Sequence, residues 1–470
     1  MDRLLDDLVD LAHDERSDGS QARHAAKRML LDSVGCAIGA SQYEVPTIAR
    51  TLATRYPHPA GTHVLGVRGR FTAERAAFAN GVMIRYLDLN DAYGSAVGIG
   101  HPSDYIPAVL AAADLTACDG VTVLDAIALS YEVFCRLTDV LRLGVQSWDH
   151  VINGAVATAV GAGYVFQLTP DELRNAIALA LVPNVALQVT RLNSVSKWKG
   201  CASANAIRNG LFAVELAQAG MTGPGLPFEG RGGLFEAIGS TPAFDNWGRQ
   251  HSAILDCNIK RYPAGYFSQS AIQAALEIRH RLGDSSRITK VEVGTFAFGL
   301  HVMAGDTDKW APTTRETADH SLPYVVAHAL AHGYVTKDSF TPEALTDPET
   351  RRLLKQLTVT QDEECESQWP EACMNSVTVH LSDGTQLTSR IRDYLGHNAN
   401  PLSDSGLEAK FSGLVVPALG PEQARRLAGR IWSLSSAKNL DQFFASTLAP
   451  GTTETTGAAH SGGQDEPAEL

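Results

Sequence analysis

"RITKVEVGTFAF", residues 287–298, decides the fold. Its apolar and polar residues alternate, which is the period of a strand with one buried face. The chain before it has another rhythm. "QARHAAKRMLLDSVGCAIGA" (21–40), "TAERAAFANGVMIRYLDL" (72–89) and "VTVLDAIALSYEVFCRL" (121–137) return apolar residues every three or four positions. That spacing, with so much alanine, predicts helices packed at close range. "TAE" and "TPDE" open two of these segments in the manner of helix caps. The strand rhythm returns in "MNSVTVHLSDGTQLTSRI" (374–391), where "DG" supplies a hairpin turn. Helical segments, "ADHSLPYVVAHALAHG" and "TPEALTDPETRRLLKQL", lie between the two stretches. Helix resumes in "GLEAKFSGLVVPAL" and "EQARRLAGRIWSL".

The expected fold is mostly α: a large all-helical domain with a smaller α+β lid domain inserted. The expected limits are 1–267 for the helical domain, 268–400 for the lid and 401–448 for the return to the helical domain. Residues 449–470 hold little apolar material and are expected to be a disordered tail.

Composition narrows the function. The chain has 470 residues, is 44% hydrophobic and carries a net charge of −13. That charge argues against nucleic acid as a partner. No apolar run reaches the length of a membrane span. Residues 1–20 are acidic and amphipathic, not a basic stretch followed by an apolar one, so a cytoplasmic location is expected. The seven cysteines are scattered and form no CxxC, and no HExxH or other metal motif is present.

Four stretches carry chemistry. "RYLDLNDAYGSAVGIGHPSD" (85–104) sets Asp88, Asp91 and His101 around a glycine-rich bend. On a helix, Asp88 and Asp91 would share a face. A plain helix–loop–helix corner, with Ser103 capping the next helix, would look the same. His150, in "SWDHVINGAVATAVGAG", stands at the start of a small-residue helix, where an anion is favoured. A histidine bonded to backbone would also fit. "NSVSKWKGCASANA" offers Lys197 and Lys199 for a carboxylate, unless they are surface lysines. "NIKRYPAGYFSQSA" puts Lys260 and Arg261 beside a turn forced by Pro263 and Gly265. That pattern suits an anion pocket or a charged hinge, with Ser268 able to cap the following helix.

"RYLDLNDAY…GHPSD", "WDHV", "SKWKG", "KRYPAGYFSQSA" and "WAPTTRETADHSLPYVVAHAL" together resemble the MmgE/PrpD family over residues 5–445. The family includes 2-methylcitrate dehydratases, enzymes of propionate catabolism, and cis-aconitate decarboxylases. The resemblance implies a homodimer with a pocket between its domains for a di- or tricarboxylate, with no metal and no cofactor. It implies Asp91, His101, His150 and Lys260 as catalytic residues. Ser95, Lys197 or Lys199, Arg261, Ser268 and Gln269 are the expected substrate contacts.

The decarboxylase branch has a histidine where this chain has Gly265, so the resemblance favours dehydration. The expected reaction is loss of water from a citrate-like hydroxy tricarboxylate, best 2-methylcitrate. One of His101 and His150 would be the base and the other the acid. The alternatives are decarboxylation of cis-aconitate to itaconate, a related dicarboxylate lyase or epimerase, and a helical binding protein that kept the fold.

Overall fold

The computed structural model describes residues 2–14, 19–144, 147–184, 186–191, 195–243 and 251–450. The expected tail therefore lies outside the described residues from 451 onward.

The structure is mostly helical, with one mixed α+β region. Among the described residues, two large apolar cores organise it, with a small third cluster of Cys36, Ala40, Leu87, Leu89 and Leu414. The first runs from Leu4 to Ile259 and includes Leu402, Leu407, Phe411, Leu427 and Phe444. The helices Asp404–Leu419 and Pro421–Trp432 thus pack back onto Ser20–Ala40. The second core runs from Tyr262 to Tyr394 and includes Ala92.

Small residues set the spacing of the helical core. A Cβ on Gly154 would lie 1.8 Å from the Tyr105 ring, so only glycine lets the two chains meet there. "TPDE" forms a full capping box, with Thr169 and Glu172 each bonding the other's backbone. "TAE" does not: Thr72 occupies the cap position but its hydroxyl makes no capping bond.

The mixed region holds a four-stranded sheet in the order Leu357–Gln361, Ile288–Thr295, Asn375–Leu381, Gln386–Ile391. The last two strands form the hairpin expected at "DG", with Gly384 at φ +86°. Leu357–Gln361 pairs in parallel with Ile288–Thr295. The helices Gln269–Leu282 and Leu322–His332 pack together, and Gln269–Leu282 also packs on the hairpin strands. Among the described residues, no helix is long and apolar enough to cross a membrane.

Candidate active site

The helix Ala73–Tyr86 ends just before the chemistry begins. Leu87 is its C-cap, and Asp88 turns into the left-handed region at φ +51°. Asp88 and Asp91 therefore do not share a helix face, contrary to the helical reading. The turn sends their side chains to different jobs.

Asp88 is the hub of a buried charge cluster. Its Oδ1 accepts from Arg85 Nη1 at 2.6 Å and from Lys260 Nζ at 2.5 Å. Its Oδ2 lies 3.1 Å from His320 Nε2 and 3.6 Å from Lys199 Nζ. Lys199 also donates to Asp319 Oδ1 at 2.8 Å and meets His320 Nδ1 at 2.6 Å. Arg85, Asp88, Lys199 and Lys260 come from the helical part, and Asp319 and His320 come from the second core's side. Burial pushes the Asp88 carboxyl up, but Arg85 and Lys260 outweigh it and hold it well below the usual range. Burial likewise lowers the Lys260 ammonium, against the pull of Asp88.

His101 joins the cluster through Arg85. Its Nδ1 lies 2.7 Å from the Asp91 carbonyl, which can only accept, so Nδ1 carries the proton. Nε2 then presents its lone pair to Arg85 Nη2 at 3.1 Å. Burial and the nearby Arg85 keep this imidazole neutral, its pKa well below the ordinary value. The Asp91 side chain turns away, with Oδ1 taking the Ser103 hydroxyl at 2.5 Å. Burial raises its carboxyl to about 7, against the Ser103 hydrogen bond. Ser103 spends its hydroxyl on Asp91 and does not cap a helix.

His150 occupies the N-cap of the helix Val151–Val165. Its ring centroid stands 6.0 Å from that of His101. Nδ1 lies 3.2 Å from Asp149 Oδ1, and Nε2 lies 3.4 Å from Arg191 Nη2. Arg191 Nε also pairs with Asp149 at 2.8 Å. Burial, then Arg191, lowers the imidazole to about 3. Burial and Lys199 take His320 to about 4. A Cβ on Gly100 would lie 3.0 Å from His150 Cδ2 and 2.3 Å from the Phe134 ring. Glycine there is what lets the hairpin carrying His101 close on His150.

These shifts predict a titration. Fifteen-nitrogen NMR should show His101 and His150 as neutral, Nδ1-protonated rings at pH 6. A midpoint near 6.5 for either would contradict the geometry. The sign for stability follows. A histidine lowered in the folded state leaves the unfolded chain with more bound protons between the two pKa values. Its contribution therefore falls as pH drops below about 6.5, by about 1.4 kcal/mol per pH unit. Asp91, raised to about 7, acts in the opposite sense over the same window.

Other expected residues lie elsewhere. Lys197 is 56% exposed and pairs with Glu44 at the surface, so of the two lysines only Lys199 enters the cluster. Arg261 is exposed, and its guanidinium lies near the ring of its neighbour Tyr262. Gln269 accepts from the backbone N–H groups of Arg261 and Tyr262 and donates to the carbonyls of Tyr262 and Ala264. Ser268 donates to the Gly265 carbonyl and makes no capping bond. Gly265 N–H in turn bonds the Asp319 carbonyl at 2.7 Å. Hydrogen bonds thus stitch the turn at 261–265 to the start of the next helix and to Asp319. Ser95 serves its own hairpin, its hydroxyl accepting from the Val97 and Gly98 N–H groups and donating to the Thr138 carbonyl at 3.0 Å. A side chain at position 265 would meet Met303 at 2.8 Å and His320 at 3.5 Å. That space is already filled.

Arg85, Asp319, His320, Arg191 and Asp149 are site residues that pattern reasoning missed. The usable signals were Arg85 and Asp88 at i,i+3 and a buried-looking "DH" just before a helix cap.

Asp88, Asp319 and His320 place one ligand atom each within 4.8 Å of the others. That spacing would suit a metal, but Lys260 and Lys199 already engage these carboxylates. A divalent ion there would sit against two ammoniums and the Arg85 guanidinium, so the donor set does not fit one.

Two domain patterns match the chain: the MmgE/PrpD N-terminal domain over residues 6–246 and the MmgE/PrpD C-terminal domain over 262–434. The chain belongs to the MmgE/PrpD family. The 2-methylcitrate dehydratase of Cupriavidus necator is similar, 27% identical over 94% of each chain. The mitochondrial 2-methylcitrate dehydratase of Yarrowia lipolytica is 26% identical over 91% of this chain and 84% of its own length. That of Salmonella typhimurium is 27% identical over 84% of this chain and 86% of its own. In this MmgE/PrpD chain, the junction between the two matched domains carries Lys260.

Proposed function

We propose that this protein is a hydro-lyase that removes water from a citrate-like hydroxy tricarboxylate, with 2-methylcitrate as the first candidate. The observation that carries the reading is the cluster itself. Arg85, Lys199 and Lys260 surround two buried carboxylates, and two neutral histidines stand beside them with Nδ1 fixed. Dehydratases among the relatives, matched over nearly whole chains, support it.

The chemistry needs a base for the proton next to a carboxylate and an acid for the leaving hydroxyl. His101 is the better base. A neutral carbonyl orients it, and its Nε2 lone pair is kept free of a proton by Arg85. His150 is the better acid, because the buried Asp149 carboxylate beside Nδ1 stabilises its imidazolium. Both rings are neutral without substrate. Docked carboxylates would offset Arg85, Lys260 and Arg191, the cations that lower them, and so raise both toward a working range. His101 Nε2 then takes the C–H proton, the C–H pair becomes the double bond, and the C–O bond breaks. The hydroxyl leaves as water with a proton that His150 has taken up from solvent as the substrate carboxylates dock. Arg85, Lys199 and Lys260 hold the substrate carboxylates and the charge that builds up on the one next to the reacting carbon.

Entry requires motion. The cavity at the cluster's outer side, lined by Arg85, Tyr86, Lys199, Arg315 and Asp319 together with Lys197, Gly200 and Glu316, measures about 10 Å³, near the minimum for a single water. In this reading Asp319 and His320 draw back from Lys199 and Asp88 to admit a tricarboxylate, and closure then excludes water.

The test is a substrate panel. Purified protein is incubated with 2-methylcitrate, citrate and cis-aconitate while unsaturated-acid absorbance and released carbon dioxide are followed. The expected result is rising absorbance from a hydroxy acid without carbon dioxide. Carbon dioxide from cis-aconitate would replace the reading with a decarboxylase, and silence on all three would sink it. One methyl separates the two hydroxy acids, so their kcat/KM values should differ by about 10- to 200-fold.

A further inference from the structure

Lys410 touches no catalytic side chain, yet it lies under two of them. It belongs to the helix Asp404–Leu419, far along the chain from the cluster. Its Nζ donates to the Leu89 carbonyl at 2.8 Å and to the Lys260 carbonyl at 2.7 Å. Asp32 Oδ1, on the helix Ser20–Ala40, lies 2.5 Å from the same ammonium. The ammonium thus gives hydrogen bonds to two carbonyls and has Asp32 as its ion-pair partner. Asp32 is buried, and the Lys410 side chain is 11% exposed. Leu89 follows Asp88, and the Lys260 carbonyl belongs to the residue whose Nζ binds Asp88. A lysine held this way fixes the gap between two backbone segments, since both carbonyls answer to one atom.

We infer that Lys410 is a positioning residue: its ammonium clamps the backbone of Leu89 to that of Lys260 and so sets the Asp88–Lys260 pair, with Asp32 as its counter-charge. The inference rests on Asp88 and Lys260 belonging to the proposed site. It also gives the returning C-terminal helix a role in the chemistry beyond packing. A second basic side chain at the position keeps charge but changes reach, so Lys410→Arg should retain part of the function. Lys410→Met removes both hydrogen bonds and the ion pair, and leaves Asp32 without its counter-charge.

Two readings test the clamp on the full-length protein. The first is reductive methylation with formaldehyde and cyanoborohydride, read lysine by lysine by mass spectrometry. Lys260 is fully buried in the wild type. In Lys410→Met its labelling rate should rise about tenfold or more through local opening, while Lys199 changes little. The second is kinetics. Misplacement of Lys260 should lower kcat by about 10²-fold, with Lys410→Arg restoring at least a tenth of the wild-type value.

Equal acceleration of Lys260 and Lys199 would mean general loosening and would overturn the clamp. So would wild-type labelling of Lys260 in Lys410→Met. The labelling arm needs no substrate. If the wild type acts on none of the hydroxy acids, the proposed reaction fails, and the labelling ratio still decides the clamp. If Lys410→Met does not fold, Lys410→Gln and Asp32→Asn take the same two readings under the same criteria.

Discussion

His101→Asn is expected to lower turnover roughly 10²- to 10⁴-fold, the range for removing a general base, with little change in folding. Asparagine keeps a donor for the Asp91 carbonyl and so preserves the local turn. It has no group that can take a proton. The loss should fall on kcat more than on KM, because Arg85, Lys199 and Lys260 still hold the carboxylates. His150→Gln should give a comparable loss by removing the acid. Circular dichroism and melting curves near those of the wild type would assign the loss to chemistry. Near-wild-type turnover of His101→Asn would remove His101 from the mechanism and return the 85–104 stretch to a structural role.

Asp88→Asn is expected to be the most damaging single change to stability. The carboxylate is 1% exposed and serves Arg85, Lys260, Lys199 and His320 together. An amide removes the charge and leaves several buried cations without their common partner. Breaking such a buried pair costs about 3–5 kcal/mol. Urea unfolding at pH 7.5 would measure it, and addition of Lys260→Met should recover part of the loss, because one uncompensated cation disappears. An Asp88→Asn protein as stable as the wild type would show that the cluster's charges are solvated in solution. The pH dependence has a definite sign. The folded carboxyl sits well below its ordinary value, so its stabilisation is complete above pH about 4 and is lost progressively as pH falls from there through the lower folded value.

Much of this was legible in the residues. Alternation along Ile288–Thr295 and the "DG" hairpin marked the sheet, and alanine spacing marked the helices. The strand Leu357–Gln361 was not legible. It is a short edge strand that follows a helix without a turn signal, and its parallel partner lies some sixty residues back in the chain.

The site divides the same way. His101, His150 and Lys260 stand in distinctive stretches. Arg85 stands in the last turn of an alanine-rich helix, where an arginine ordinarily faces water, and its burial is matched by the Asp88 and Asp104 carboxylates that no motif ties to it. Lys197 and Lys199 could not be separated because they lie in a 3₁₀ turn. With three residues per turn, positions two apart point in different directions. Ser268 and Gln269 look like pocket residues in sequence, but their side chains are used up in closing the turn at 261–265. Polarity in a motif does not say whether a group faces a ligand or its own backbone. The hydrogen-bond partners do.

Under the proposed function, this charge cluster dehydrates a citrate-like acid. Carbon-13 NMR of labelled 2-methylcitrate with catalytic amounts of purified protein tests it most directly, beside His101→Asn as control. The expected spectrum shows olefinic carbons of a methyl-aconitate with all carboxyl carbons retained, formed by the wild type and at least 10²-fold more slowly by the variant. Unchanged substrate with the wild type, or equal rates from both proteins, would contradict it.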